Sequence, residues 1–518
     1  MTNKTKLFAL VAGLGLVAAG CNNDKLTSIN VNPNSPEDVP ATSLFTEAAR
    51  LSVSRYMGNG YDLRGIEWVT QHLAEVQYPD EDDYKRLLAA AGTTSGWFDP
   101  AYSSELEDLK KVVDKGTAAN NPGVTAPAMI LRTWVFSYLT NTFGDIPYFS
   151  ALQGDSAGAT FTPKYDAQKD IYADFFKVLD AASKSLASAS NSLGSADPIY
   201  GGSPAKWQKF ANSLRLRLAM QLVNVDPTTA SQQVQAALAA PGGVFTSNAD
   251  MAVFNWPGDG VYNNPWSGNF QTRDDHRMSQ TFMNILLATN DPRMPIWAQP
   301  TVADPTKYAG MPNGLTQSTA QPYFNTSSRP GKIFWPSVNS AGVTGGTGEK
   351  TPTYILTYAE VSFLEAEAAA RGIGGLSAGQ AQSFYNAGVT ASMTQWGVTD
   401  ASKISTFLSA PSIAYQSGVA GESQIAQQEW VALFTDGGQA WALWRRTCVP
   451  NTLKPGPFAI INTVPRRMQY STNEYALNAS QVKAAITQMG GDDVFTTRMY
   501  WDKNPTAAPT YTTGCGTR

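Results

Sequence analysis

Histidine and cysteine are scarce in this chain of 518 residues, which contains two His and three Cys. A protein zinc site usually takes three or four nitrogen and sulfur ligands at short spacings, and no Cys or His cluster here has that spacing. The HExxH motif of zinc hydrolases is absent as well. The sequence therefore offers no zinc centre, and its only imidazoles are those of His72 and His276.

Charge is also low. Charged side chains make up only 15% of the chain, the net charge is −4, and the isoelectric point lies near 5.4. Proteins that bind nucleic acids or anionic lipid surfaces carry clusters of basic residues, which this composition does not provide. Nucleic acid is therefore excluded as a partner.

No stretch reaches the roughly 18 uninterrupted apolar residues that indicate a membrane-spanning helix. The longest apolar run, Leu7 to Ala19, is shorter than that and follows Lys4 and Lys6. A short apolar run behind basic residues is typical of a secretory signal peptide. Residues 1–20 are therefore predicted to be this signal.

Small residues stand directly before Cys21, as a lipoprotein signal peptidase requires. Cys21 is therefore predicted to become the lipidated first residue, and simple secretion without lipid is the alternative. Two or more acyl chains make such an anchor stable. The polar, Asn- and Pro-rich residues 21–40 then suit a tether between a lipid anchor and a folded body.

Two cysteines remain after Cys21, namely Cys448 and Cys515. An even pair suits an oxidising, extracytoplasmic setting. The sequence leaves open whether the two form a disulfide or stay as free thiols.

Segments with apolar residues at helical spacing indicate a mainly α-helical body. Residues 126–143 have Pro127 near their start and Gly144 just past their end, the usual punctuation of a helix. The helices show no sequence period, so the pattern alone does not predict a helical repeat. Further helices are predicted at 168–187, 204–223, 354–371, 378–396 and 425–434.

Between residues 245 and 350, Gly, Pro, Asn and Thr interrupt every apolar run, apart from a short helical piece near 278–289. This pattern predicts one long irregular insertion in an otherwise helical domain. The predicted domain spans 41–518, with a helical body at 41–244 and 351–447 and a loop-rich C-terminal segment at 448–518.

Aromatic residues are abundant, with 13 Trp, 21 Tyr and 22 Phe. A sugar ring presents a face of C–H groups and a rim of hydroxyls, so its site needs a flat aromatic surface and a few polar groups. Residues 254–270 of the insertion supply both, and loops are where rings can face solvent. Anchoring of the loops in the core is the alternative role for each ring. The predicted ligand contacts are Trp256, Tyr262, Asn263, Asn264, Trp266, Tyr323, Trp335 and Tyr78.

Several segments resemble, in order along the chain, those of the SusD/RagB family, in particular its second, SusD-like subfamily. WQKFANSLRLRLAM at 207–220 is similar to the family's most recognisable helix, and NTFGDIPYF at 141–149 resembles its Phe-Gly-Asp-Ile-Pro-Tyr turn. Cys448 departs from the family, which has a Gly-like residue there. The other segments are INVNPNSPEDVPATSLFTEA (29–48), NDPRM (290–294), YAGMPNG (308–314), TYAEVSFLEAEAAARG (357–372), SFYNAGVTASM (383–393), QQEWVALFTDGGQAWALWRRT (427–447), PRRMQYSTNE (465–474) and MYWD (499–502).

This resemblance implies a mainly α fold, with a body of four tetratricopeptide-like helix pairs and an irregular, ligand-binding part on the other side. It also implies a nutrient-binding lipoprotein that captures oligosaccharide and passes it to a SusC-like TonB-dependent transporter. Members of the family also deliver peptides, so a peptide ligand stays open. A structural lid that binds nothing is a further alternative.

A glycan-degrading enzyme is a weaker hypothesis. Its best candidate pair is Glu360 and Glu367, whose backbones lie roughly 10 Å apart along one helix and do not readily converge as a glycosidase requires. In a nearly apolar helix these carboxylates are expected to be hydrogen-bonded or ion-paired framework groups instead. Arg215 and Arg217 are expected to hydrogen-bond helix ends and to extend across partner helices, with an anion site as the alternative. No cofactor or metal is predicted, although the acidic run after Tyr78 leaves calcium as a minor possibility.

Overall fold

The computed structural model describes residues 38–155, 158–503 and 515. The predicted signal peptide, Cys21 and most of the predicted tether lie outside these residues. None of the helices in the described ranges combines the length and the apolarity that crossing a bilayer requires.

Helices dominate the structure, as the sequence predicts. Helices that follow one another in the chain pack side by side, namely Glu105–Ala118 against Pro122–Phe143, Gln168–Leu186 against Pro204–Gln221, and Tyr358–Ala370 against Ala381–Gln395. The mainly α fold class is confirmed. The first seven helices are α1 Ala41–Tyr56, α2 Thr93–Ser103, α3 Glu105–Ala118, α4 Pro122–Phe143, α5 Gln168–Leu186, α6 Pro204–Gln221 and α7 Pro227–Ala239. The others are α8 Gln280–Thr289, α9 Tyr358–Ala370, α10 Ala381–Gln395, α11 Ala401–Ser409, α12 Gly418–Ala432, α13 Gly437–Thr447, α14 Thr472–Leu477 and α15 Ala479–Met489.

Helix α4 illustrates how the local sequence sets these boundaries. It begins at Pro122, whose missing N–H costs nothing in the first turn of a helix. It ends before Gly144, whose φ of 91° is easily reached only without a side chain. Most residues between them are buried, so α4 is a central helix with neighbours on several sides.

Regular structure is sparse between residues 245 and 350, where α8 is the longest helix, as predicted. The strands form three antiparallel pairs, β1 with β5, β2 with β3 and β4 with β6. They are β1 Leu73–Glu75, β2 Ile146–Pro147, β3 Tyr165–Asp166, β4 Ala252–Phe254, β5 His276–Met278 and β6 Thr353–Leu356. Short helical turns include Asn59–Ile66, Glu67–Val69, Pro79–Asp82, Pro265–Asn269, Met294–Trp297 and Gln317–Ala320.

The irregular segment shares its core with the helical body. Trp297 and Trp335 from the segment belong to the same buried apolar cluster as Trp207 of α6 and Trp430 of α12. Burying this much apolar surface against the helices offsets the low content of regular hydrogen bonding in the segment. Residues 245–350 therefore pack onto the helical body and share its core.

Buried ion pairs hold the helices together, as predicted for the glutamates of α9. Glu360 accepts two hydrogen bonds of 2.5 Å from Arg217 of α6. Glu367 pairs with Arg446 of α13 and, at 2.9 Å, with Arg371. The prediction that these carboxylates are framework groups is confirmed.

Cys448 is joined to Cys515 in a disulfide. Cys448 follows α13 directly and has a φ of 58°, in the left-handed region. Helices commonly end with such a residue, and glycine is its usual occupant. The backbone geometry therefore agrees with the Gly-like residue that the resemblance leads us to expect at this position.

We expect the unreduced protein to contain no alkylatable thiol at Cys448 or Cys515. The bridged residues are separated by 67 positions, so reduction should lower the free energy of unfolding by about 2–4 kcal/mol. Intact mass after alkylation, with and without reductant, together with the melting temperature, measures both effects. Two alkylated cysteines in the unreduced protein would contradict the bridge.

Candidate functional site

Three of the predicted ligand contacts lie in the core. Trp256, Trp266 and Trp335 are 5%, 3% and 0% exposed. The indole N–H of Trp256 donates to the hydroxyl of Thr353 at 2.9 Å, and that of Trp335 to the carbonyl of Pro330 at 3.0 Å. Rings with buried faces and satisfied N–H groups have no surface left for a ligand. The structure therefore does not support these three tryptophans as ligand contacts, and it gives them the anchoring role that the sequence left as the alternative.

The side-chain amides of Asn263 and Asn264 form hydrogen bonds within the protein. The side-chain oxygen of Asn264 accepts from the N–H of Trp266 at 2.9 Å and caps a short helix, while its NH₂ group donates to Thr351. The half-buried Asn263 accepts from the N–H of Gly260 at 3.1 Å. Only Tyr262 of this group is well exposed, at 47%, with the guanidinium of Arg50 5.7 Å from its ring.

Tyr78 offers a better surface. Its ring is 47% exposed, and the guanidinium of Arg273 lies 4.4 Å from the ring centroid. Such a cation holds one face of the ring and fixes its orientation. The opposite side of the ring remains available to solvent or to a ligand.

The β1–β5 pair positions this stacked arrangement. Tyr78 follows β1 by three residues and Arg273 precedes β5 by three, so both lie at the same end of the antiparallel pair. A hydrogen bond from Val76 N–H to the carbonyl of Asp275, 3.0 Å long, extends the pairing towards them. Since both segments leave one small sheet, the spacing between ring and guanidinium is built into the backbone.

In the acidic run after Tyr78, the carboxylates of Glu81, Asp82 and Asp83 form ion pairs or hydrogen bonds with other groups of the protein. Glu81 pairs with the guanidinium groups of Arg64, Arg86 and Arg273. Asp82 is buried and accepts from the side chain of Asn313 and from the backbone N–H of Gly314. Burial raises the pKa of Asp82 to about 7, although these hydrogen bonds act in the opposite direction. Oxygens used in this way do not form a calcium cage, and the run serves as framework. The remaining carboxylate with a close partner is Asp83, 2.5 Å from Lys85.

Glu75, Asp275 and His276 form the one group in the described ranges whose carboxylate and imidazole atoms converge, within 4.8 Å of one another. Arg273 already neutralises it, since it pairs with Asp275 and lies 3.8 Å from Glu75. Burial and the neighbouring Asp275 raise the pKa of Glu75 well above its usual value. The group is thus a cation-paired framework rather than an open metal site.

Two further loops complete this surface. The N–H of Phe458 donates to Gly314 at 3.1 Å, and the N–H of Ile460 donates to the carbonyl of Asp83 at 3.0 Å. Phe458 is 50% exposed and Ile460 37%. Gly314 and Gly456 bring the loops together, because a Cβ on Gly456 would lie 1.9 Å from the carbonyl oxygen of Asn313. Sequence reasoning missed Phe458 and Ile460, because nothing local shows that residues so distant in sequence meet here.

Tyr323 lies half-buried at the edge of the same region. It packs on a small cluster that includes Ala74 and Val76 of the β1 segment. We call Tyr78, Arg273, Tyr323, Phe458 and Ile460 together the Tyr78 surface. It combines exposed rings with a guanidinium, which suits stacking and hydrogen bonding to a polar ring-shaped ligand.

The candidate catalytic residues form ion pairs or hydrogen bonds with other residues of the protein. Glu360 and Glu367 are held in the ion pairs described above, and the imidazoles of His72 and His276 lie buried beside Glu67 and Asp275. Residues 375–379 match the G-x-S-x-G pattern of serine hydrolases, but the hydroxyl of Ser377 donates to Gln380 at the start of a helical turn. Neither the acid pair nor this serine has the partners that hydrolysis needs.

Comparison with known families identifies the chain. The profile of the SusD-like family described as "Starch-binding associating with outer membrane" matches residues 33–471. The chain belongs to the SusD-like family. A search of curated proteins found no match. The match covers the helical body and the irregular segment alike, and it confirms the family that the sequence motifs indicate.

Solved structures of SusD-like proteins share the fold. A chitin-binding protein matches with a TM-score of 0.77 and 25% identity, over 90% of this chain and all of the other. A chitin-binding SusD homologue from Flavobacterium johnsoniae has a TM-score of 0.75 and 24% identity, over 90% of this chain and 98% of its own. A SusD homologue from Bacteroides uniformis has a TM-score of 0.75 and 25% identity, over 89% and 99%. The tetratricopeptide-like helical fold expected from the resemblance is thereby confirmed.

Proposed function

We propose that this SusD-like protein binds oligosaccharide at the outer surface of the outer membrane and passes it to a SusC-like TonB-dependent transporter. The observation that carries the proposal is the half-exposed Tyr78 ring, with the guanidinium of Arg273 4.4 Å from its centroid. A flat ring beside polar groups is what a sugar with an apolar face and a hydroxyl rim requires.

The family description and one neighbour support glycan as the ligand class. The family is described as starch-binding, and one neighbour that is 25% identical is described as chitin-binding. Starch and chitin oligosaccharides are therefore the first ligands to test. A peptide is the alternative, since aromatic and amide groups hold both classes.

Binding without hydrolysis is part of the proposal. The carboxylates that a glycosidase would use are held by arginines inside the helical body, which supports a carrier rather than an enzyme. Incubation of the purified protein with the same oligosaccharides should produce no new reducing ends. Any steady release of reducing sugar would restore the enzyme hypothesis.

Tyr78→Ala should weaken oligosaccharide binding by about 1–3 kcal/mol, the range for losing an aromatic platform under a flat ring. Folding stability should change little, because the ring is 47% exposed. Calorimetric titration with maltooligosaccharides, chitooligosaccharides and short peptides measures the affinity and identifies the ligand class.

Tyr262→Ala is a matched control for this prediction. Tyr262 is also 47% exposed and also has an arginine near its ring, but it lies outside the Tyr78 surface. It should bind like the wild type. If Tyr262→Ala loses affinity while Tyr78→Ala keeps it, the ligand surface lies on the 254–270 loop, where the sequence first placed it.

The lipid anchor remains a prediction, since Cys21 lies outside the described residues. Cys21→Ser should leave a folded protein but remove it from the membrane fraction, because acylation at this cysteine is the proposed attachment. Immunoblots of washed outer membranes from cells with and without the transporter gene give the measurement. Retention of the mutant in cells that lack the transporter would argue against lipid anchoring.

A further inference from the structure

A second binding feature lies far from the Tyr78 surface. A cleft of about 790 Å³ opens between the C-terminal end of α8 and helix α11. Small-molecule sites typically have volumes of roughly 300–1,000 Å³. Helix α8 begins just after β5 and has ten residues, so the cleft lies roughly 15 Å along that helix from the sheet that carries Tyr78.

The walls of the cleft present both apolar groups and hydroxyls. On the α8 side, Pro292, Pro295 and Ile296 form an apolar patch beside Thr289 and Asn290. On the α11 side, Ser402 and Thr406 lie one turn apart on the face of the helix that lines the cleft, and both are exposed, while the apolar Phe407 and Ala410 line the same side. Apolar groups next to hydroxyls match the two aspects of a sugar ring.

The formal charges of the side chains that line the cleft sum to zero. It contains one carboxylate, Asp400, and one ammonium group, Lys403. The carboxylate of Asp400 accepts from the N–H groups of Ser402 and Lys403 at 2.9 and 3.3 Å, so it caps α11. A neutral ligand suits such a site better than a charged one.

We propose that this cleft is a second glycan subsite, which binds a short neutral oligosaccharide. Its C–H face lies against Pro292, Pro295 and Ile296, and its hydroxyls pair with Ser402 and Thr406. The lining residues belong to helices and turns, which offer no strand edge for pairing with a peptide backbone. The proposal takes its ligand class from the proposed function. One polysaccharide that reaches both sites gains affinity through the second contact.

The test counts binding sites by calorimetry with trisaccharides of the chitin and starch types. The wild type should bind two molecules of the preferred trisaccharide. Thr406→Arg places a long charged side chain in the cleft and should weaken the second site at least tenfold, leaving a stoichiometry of one. Ser402→Arg, one turn earlier on α11, should also weaken the second site and leave a stoichiometry of one. If the melting temperature shows that Thr406→Arg is misfolded, the stoichiometry of Ser402→Arg tests the subsite in its place.

Ser405→Arg is the matched control, since Ser405 is an exposed residue of the same helix that does not line the cleft. It should retain two sites. A stoichiometry of one in the wild type that Thr406→Arg and Ser402→Arg leave unchanged would overturn the subsite. Preferential binding of trialanine in the cleft would overturn its ligand class.

The two proposals fail separately in this design. Tyr78→Ala should remove the first site and leave the cleft, whereas Thr406→Arg should do the reverse. Loss of binding only in the α11 variants would refute the Tyr78 surface and keep the cleft. Loss only in Tyr78→Ala would keep the proposed function and refute the cleft.

Discussion

Trp335→Ala should lower the free energy of unfolding by about 3–5 kcal/mol, the usual cost of emptying a tryptophan-sized volume in a core. The ring is 0% exposed and stacks on Phe270 at a centroid distance of 4.7 Å. Its N–H would also leave the carbonyl of Pro330 without this partner. Chemical denaturation followed by circular dichroism measures the loss.

Trp335→Phe and Tyr262→Ala are the controls. The phenylalanine retains stacking on Phe270 and should cost less than the alanine, while the exposed Tyr262 should cost less than about 0.5 kcal/mol. Oligosaccharide affinity of the folded fraction should stay unchanged in Trp335→Ala. A variant that melts like the wild type but loses its ligand would place Trp335 in the binding site and contradict its burial.

Arg217→Met should destabilise the protein by about 3–5 kcal/mol, because it leaves the buried Glu360 without its cation. Both side chains of the pair are nearly inaccessible, at 5% and 4% exposed. The loss should fall substantially in the double variant Arg217→Met with Glu360→Leu, where no unpaired charge remains. Urea unfolding of the two single variants and the double variant gives the coupling energy.

Arg50→Met provides the surface comparison. Arg50 and Glu47 form a 2.5 Å pair on α1, but their side chains are 29% and 49% exposed. Exposed pairs contribute about 0–1 kcal/mol, so this variant should be close to the wild type. Equal losses at the two arginines would mean that burial does not govern the strength of these pairs.

Much of the helical body follows from local sequence. Gly144 ends α4 as predicted, but the helix begins at Pro122, and Pro127, the predicted start, lies inside it. The pairing of Glu360 was also predictable, since a carboxylate in an apolar helix needs a cation. The sequence could not show which arginine supplies it, because Arg217 lies 143 positions away.

The candidate site was less predictable, for a physical reason. Trp256, Trp266 and Trp335 stand among Gly, Pro and Asn, which makes each position look like a solvent-facing loop. These rings, together with other buried apolar residues of the segment such as Phe270 and Phe282, pack it onto the body. Tyr78 is exposed, although Glu81, Asp82 and Asp83 that follow it are buried. Phe458 joins it through backbone contacts between distant loops, which leave no local signal.

The Cys448–Cys515 bridge also changes how this protein would respond to a protease. A single cut in the exposed stretch around α14 and α15 would leave two fragments still covalently joined. Such a nicked molecule runs as one band without reductant and as two bands with it. The protein can therefore lose continuity of its backbone near the C-terminus and still keep all of its parts in one molecule.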